Sequence, residues 1–171
     1  MFYFLILGDF TPVCTTEFIA FSKAYTYFQQ LNTELIGLSI DSNSSHLAWL
    51  YDIYCKTGIR VPFPVIADRI GEIARKYGMI ATQVSNTETV RNVFVIDDKG
   101  IIRLILVYPL NIGRSIPEIL RAIMALQIAD CNKAMTPANW LRGEPIIVPK
   151  PNTFPQLLER VKEIEENKNG M

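Results

Sequence analysis

Histidine appears once in these 171 residues, at position 46, and cysteine three times, at 14, 55 and 131. An odd set of widely spaced cysteines is no disulfide framework. It excludes a bridge-held secreted scaffold and favours a reducing, cytoplasmic setting. An excess of one charge is also missing, because 17 basic and 17 acidic residues cancel. A nucleic-acid or anionic-membrane partner would select Lys and Arg, so neither is expected. Long apolar runs are lacking too: stretches such as Val93–Ile96 and Leu104–Leu110 fall well short of the ~20 residues a membrane span needs. The opening Met1–Leu7 is apolar, but without a basic lead or a small-residue cleavage site it reads as a buried strand, not a signal peptide. Repeats and low-complexity linkers are absent. With 49% apolar and 20% charged residues, the chain is an ordinary globular one, long enough for a core.

What is present alternates between strand and helix patterns. Phe2–Leu7 predicts a strand and Gly8-Asp9-Phe10-Thr11 a turn. Thr11 suits an N-cap and Pro12 the first helical position, where its missing N–H costs nothing. The helix then runs to about Gln30, with Phe18, Phe21, Tyr25, Phe28 and Leu31 on one face. Leu35–Ile40 predicts a strand, and Ser45–Lys56 a helix with Leu47, Leu50, Ile53 and Tyr54 as its apolar stripe. A short strand over Val65–Ala67 and a short helix over Glu72–Tyr77 follow, the latter closed by Gly78. Strands at Asn92–Ile96 and Ile101–Tyr108 flank the hairpin turn Asp97-Asp98-Lys99-Gly100.

Ser115 with Glu118 has capping-box spacing for a helix to about Ala129, and Thr153 with Gln156 repeats the signature before a last amphipathic stretch. Between them, residues 130–152 carry four prolines and little periodicity, which predicts an extended arm. The order βαβ, an inserted αβα, then ββα predicts an α/β, thioredoxin-like fold: a mixed central sheet with flanking helices, and a C-terminal arm plus helix. We expect a domain over 1–130. The arm and helix of 131–171, with Trp140 and Ile146-Ile147-Val148 short of internal partners, are expected to make at least a homodimer.

Chemistry concentrates at Cys14, in the first turn of the first helix. Unpaired N–H groups and the positive end of the helix dipole stabilise an anion there, and a thiolate is the reactive form of cysteine. Thr11, one turn earlier, can offer a hydroxyl to the thiolate or to a bound oxygen, while Pro12 stiffens the turn and shields the sulfur. Position alone does not choose a reaction. The tetrad Cys14-Thr15-Thr16-Glu17 has no second cysteine for local dithiol chemistry. A Cys–His hydrolase would have to use His46, which reads as a surface residue at a helix start with no evident orienting partner. A thiolate activated by dipole, hydroxyl and a guanidinium can attack an electrophile that needs no general base, and a peroxide O–O bond qualifies. Cys55 reads as structural and Trp49 as core.

Asp9-Phe10-Thr11-Pro12-Val13-Cys14-Thr15-Thr16-Glu17 resembles the peroxidatic loop of peroxiredoxins, and the chain from about residue 4 to 150 is similar to their one-cysteine branch. Supporting blocks are Leu35–Ser42, Ser45–Trp49, Phe63–Asp68, Val90–Asp97, Tyr108-Pro109 with Gly113-Arg114, and Thr136–Trp140. The resemblance implies a thiol peroxidase with Cys14 as the peroxidatic cysteine. It further implies that Thr11 bonds the peroxide and that Arg91 holds thiolate and substrate. Arg114 would be a second guanidinium, Glu17 would orient an arginine, and Pro12 and Val13 would support the site. No metal or organic cofactor is implied; the partners are a hydroperoxide and an external thiol. Three features depart from the family pattern. Its usual His-Pro is replaced by Ile6-Leu7, its hairpin before the first strand has no counterpart, and it extends past the place of Met171. Two rival readings stand beside this one: a two-cysteine cycle with Cys131 as resolving thiol, and a thioredoxin-fold holdase or redox sensor.

Overall fold

Among the described residues, five strands form one mixed sheet in the order β3-β2-β1-β4-β5. The computed structural model describes residues 2–6, 8–79 and 91–169. In chain order the elements are β1 (Phe2–Ile6), α1 (Pro12–Gln30), β2 (Glu34–Ser39), α2 (Asn43–Thr57), β3 (Val65–Ala67) and α3 (Glu72–Lys76). They continue as β4 (Arg91–Ile96), β5 (Ile102–Tyr108), α4 (Ile116–Asn132) and α5 (Phe154–Asn169). β1 and β2, and β2 and β3, pair in parallel, whereas β4 runs antiparallel to both β1 and β5. Leu7, expected to close the first strand, and Val90 lie outside the described residues.

Alternation along β2 sorts the core into two faces. Leu38 joins Ala74, Met79, Phe94 and Ile96 in one buried cluster, with Ile66, Ile73 and Tyr77 packed against it. Gly37 points the other way, under α1. A Cβ there would lie 3.2 Å from the Phe18 ring and 3.3 Å from the Val65 methyls, so any larger residue would push these side chains back by a few tenths of an ångström. Phe18 fills that space, 4.6 Å from the ring of Trp49 and 5.2 Å from that of Phe63. The aromatic stripe of α1 is thus its buried face, as its spacing predicts: Phe18, Phe21 and Phe28 are fully buried.

The buried face of α2 keeps Ile53 of the expected stripe but otherwise departs from it. His46, Trp49 and Ile53 are buried, while Leu47 and Tyr54 are exposed at 62% and 52%. A histidine occupies the core-facing position because a carboxylate meets it there, described below, and hydrophobicity alone hides such a position. Cys55, expected to face packing partners, is also exposed. The neighbouring Tyr51 phenol is held above its ordinary range, chiefly by donating its proton toward the Cys55 sulfur.

The chain divides into two compact units, 1–123 and 124–171. In the second, Met135 and Ile147 exchange backbone hydrogen bonds of 2.9 and 2.7 Å. Trp140, expected to lack internal partners, is 1% exposed and donates from its indole to the Glu144 carbonyl at 3.0 Å. Thr153 and Gln156 cap α5: the Gln156 N–H reaches Thr153 Oγ1 at 3.4 Å, and the Gln156 carboxamide oxygen accepts from the Asn152 N–H at 2.9 Å.

Candidate active site

The turn between β1 and α1 delivers Cys14 as the third residue of the helix. Thr11 is the N-cap, in extended conformation at φ −82° and ψ 141°, and Pro12 follows it. The Thr11 hydroxyl donates back to the Gly8 carbonyl at 3.0 Å and does not cap the helix. The first-turn amides therefore have no side-chain acceptor, and the dipole end faces the sulfur. Cys14 is 3% exposed.

One turn later on the same face stands Glu17, also 3% exposed. Two guanidiniums converge on it from distant parts of the chain. Arg91, at the start of β4, spans sulfur and carboxylate: its Nη1 lies 2.9 Å from Cys14 Sγ and 3.0 Å from Glu17 Oε2. Its Nε donates to the Leu110 carbonyl at 2.8 Å, which fixes the plane of the guanidinium. Arg114 meets Glu17 as a fork, Nε to Oε1 at 2.9 Å and Nη2 to Oε2 at 2.6 Å, and adds its backbone N–H to Oε1 at 2.8 Å. Its Nη1 reaches the Asn92 carbonyl at 3.3 Å, and its guanidinium carbon lies 5.9 Å from the centre of the Phe21 ring.

The charges decide what this arrangement favours. Among the described residues, two guanidiniums and one carboxylate leave an excess of one positive charge in nearly water-free surroundings, and a thiolate at Cys14 cancels it. Charge-assisted hydrogen bonds are the strong ones in such surroundings. Cys14, Glu17, Arg91 and Arg114 thus come together, with Thr11, Pro12 and Val13 forming the turn around the sulfur. Cys55 lies on the exposed side of α2, and Cys131, in the last turn of α4, belongs to the second unit.

Residues 1–105 match the family model described as AhpC/TSA family, and residues 125–164 match that for the C-terminal domain of 1-Cys peroxiredoxin. The chain is 58% identical over 158 residues to Peroxiredoxin 2 of Caldanaerobacter subterraneus subsp. tengcongensis, covering 92% of this chain and 72% of that protein. It belongs to the peroxiredoxins. These are thiol peroxidases, so the enzyme class and the thioredoxin-like α/β fold expected from the sequence both stand. A peroxiredoxin of Aquifex aeolicus is 50% identical, over 91% of this chain and 75% of its own length. Among solved structures, a yeast mitochondrial 1-Cys peroxiredoxin superposes with a TM-score of 0.79 at 40% identity, over 86% of this chain and 74% of its own. A reduced 2-Cys peroxiredoxin of Plasmodium vivax gives 0.81 at 33%, over 92% and 81%. Likeness of fold is therefore shared by one- and two-cysteine peroxiredoxins.

One feature of the neighbourhood was not anticipated. His46, read from the sequence as a surface residue, is 2% exposed, and its Nδ1 lies 2.9 Å from both carboxylate oxygens of Asp9 in the turn before α1. The correction follows from packing: α2 lies along the turn and presents His46 and Trp49, three residues apart, to it. The spacing of His46, Trp49 and Ile53 on one helical face was the available signal. Trp49 makes the second contact, its indole N–H donating to Thr15 Oγ1 at 3.1 Å.

Proposed function

We propose that this peroxiredoxin reduces hydrogen peroxide and organic hydroperoxides by a one-cysteine cycle centred on Cys14. The observation that carries the reading is the 2.9 Å contact of Arg91 Nη1 with Cys14 Sγ at a helix start, inside a cluster with one unbalanced positive charge. The thiolate attacks one peroxide oxygen, an S–O bond forms as the O–O bond breaks, and the departing alkoxide or hydroxide takes up a proton. Cys14 is left as a sulfenic acid, two electrons more oxidised. Arg91 holds the thiolate and faces the charge that develops on the peroxide oxygens, and the Thr11 hydroxyl is within the same turn to bond the substrate. Glu17 and Arg114 fix Arg91 in place, while Pro12 and Val13 limit access. An external thiol then attacks the sulfenic sulfur with loss of water, and a second thiol releases Cys14. A thiol of the glutathione or thioredoxin type, as named for the yeast relative, suits this role.

The match to the 1-Cys C-terminal domain over 125–164 supports the one-cysteine cycle, and the exposed apolar stripe of α5 supports a role for the arm and last helix in homodimer formation. The three unbridged cysteines fit a reducing cytoplasm. Consumption of peroxide with dithiothreitol as reductant tests the reading. The wild type should turn over, and Cys14→Ser should lose turnover entirely. No turnover by either protein would favour the holdase reading, and loss of turnover in Cys131→Ser would favour a resolving role for that thiol.

A further inference from the structure

The buried pair formed by His46 and Asp9 has no part in the chemistry proposed above, yet it grips the segment that carries the nucleophile. Both side chains are 2% exposed, and His46 Nδ1 is equidistant, at 2.9 Å, from the two Asp9 oxygens. The other ring nitrogen is 3.4 Å from the Ile66 carbonyl. Asp9 is also held by its backbone, whose N–H donates to Asp41 Oδ2 at 2.9 Å. That carboxylate is itself engaged by the Ser39 hydroxyl at 2.8 Å. The start of the turn is thus tied to the end of β2 and to α2.

On its far side the turn is fixed again. Pro12 confines Thr11 to extended backbone. The Thr11 carbonyl receives both the N–H of Thr15, at 3.0 Å, and its hydroxyl, at 2.8 Å, and Trp49 donates to that same hydroxyl oxygen. Between the two fixed points stands Phe10, at φ +56° and 56% exposed. An aromatic residue adopts left-handed backbone only where its surroundings over-determine it, and its exposed ring gains little in exchange. The His46–Asp9 pair is one of the two clamps holding that strained residue.

Two steps of the cycle make opposite demands on this turn. Attack on peroxide needs it folded, because only then does Cys14 Sγ sit against Arg91. Reduction needs the sulfur uncovered: an external thiolate must form an S–S bond in line with the S–O bond that breaks, with the oxygen leaving as water after taking a proton, and a sulfur 3% exposed gives a bulky thiol no such approach. We propose that His46 is a positioning residue which, through Asp9, sets the balance between the folded, peroxide-reactive turn and an open, thiol-accessible one. This rests on the peroxidase reading for its kinetic consequence, though not for the opening itself.

The test uses His46→Gln, Asp9→Asn, the double variant and Phe10→Asn, since asparagine tolerates left-handed backbone. Three rates are followed in the full chain: oxidation of Cys14 by hydrogen peroxide, capture of the sulfenic acid by thionitrobenzoate, and alkylation of reduced Cys14 by iodoacetamide. Loss of His46 or Asp9 should slow oxidation about tenfold and speed capture and alkylation by a similar factor, the change that one charge-assisted hydrogen bond of ordinary strength controls. The double variant should be no worse than either single one. Adding Phe10→Asn to His46→Gln should restore most of the oxidation rate, which general loosening of the structure would not allow. Additive single effects, a failed rescue, or unchanged alkylation would each overturn the proposal. Should the His46 and Asp9 variants not fold, hydrogen exchange on the wild type decides. Peptides covering 8–16 and 42–49 should open together, and independent opening sinks the idea. If the wild type never oxidises Cys14 with peroxide, the peroxidase reading falls, while alkylation and exchange still judge the clamp.

Discussion

Between Arg91 and Arg114 the carboxylate of Glu17 is almost out of reach of water and accepts from both guanidiniums. Removing its charge strands Arg114, whose side chain is fully buried. Breaking a buried pair from one side costs about 3–5 kcal/mol, so Glu17→Gln should lower the denaturant midpoint strongly. Arg91→Met should behave in the opposite sense. Arg114 still satisfies Glu17 by three bonds, so the fold should largely survive, while the sulfur loses its donor. Losing one such donor at a reacting centre costs about 10²–10³ in rate, read as the second-order rate constant for Cys14 oxidation. An Arg91→Met protein with full rate and collapsed stability would reassign Arg91 to architecture alone. These residues differ in how far the sequence announces them. Thr11 and Cys14 stand one turn apart and are legible from helix-start chemistry, whereas the part of Glu17, a turn further on, comes from the resemblance. Arg91 and Arg114 lie 77 and 97 residues from their partners, so no local pattern places them, and only resemblance to a family points to them.

At the level of elements, the hairpin of β4 and β5 depends on Asp97. Its carboxylate accepts from the Lys99 and Ile101 N–H groups, both at 2.9 Å, and meets Arg103 at 3.4 Å. Gly100 closes the turn at φ +77°. The Ile101 amide is the largest influence holding the Asp97 carboxyl below its ordinary range, with Lys99 and Arg103 adding to it. A carboxyl depressed in the folded state contributes stability above its unfolded value, ~3.9, and loses it as pH falls through the folded one. Asp97→Asn should therefore unfold at a lower temperature than wild type at neutral pH, and the gap should close on acidification below ~4. A gap constant down to pH ~2 would mean that the charge is not what holds the turn. This turn, the strands beside it and α1 are readable in sequence because their signals are local: proline at a helix start, period-two strands, glycine at positive φ. The α2 helix is readable in extent but not in facing. Its buried His46 looks polar until Asp9, 37 residues earlier, is brought against it, whereas its exposed Leu47 and Tyr54 look like core.

For the whole molecule, the unit formed by 124–171 raises the question of assembly. On α5, Phe154, Leu157, Leu158, Val161 and Ile164 recur at helical spacing, yet each is between 42% and 70% exposed. A helix usually buries such a stripe, and each side chain gains about 1.5–3 kcal/mol on full burial. If a second copy covers this face, sedimentation should show a dimer at micromolar concentration, and Leu158→Glu with Val161→Glu should dissociate it. The cycle itself is also a property of the whole chain, because it depends on whether a second thiol can reach Cys14. A disulfide needs Cα atoms within about 4.4–6.8 Å and matched side-chain directions. Cys55 faces solvent on α2 and Cys131 stands exposed in the last turn of α4, while Cys14 is buried against Arg91. In the proposed one-cysteine cycle the oxidised sulfur should persist. One equivalent of hydrogen peroxide should then add a single oxygen to the Cys14 peptide and make it reactive to dimedone, and excess peroxide should carry it to the sulfinic acid. Replacing both Cys55 and Cys131 by serine should leave dithiothreitol-supported turnover at the wild-type level. A stoichiometric Cys14–Cys131 disulfide after the first equivalent, absent in Cys131→Ser along with reductase-dependent turnover, would instead make the cycle a two-cysteine one in which the turn opens toward a second thiol.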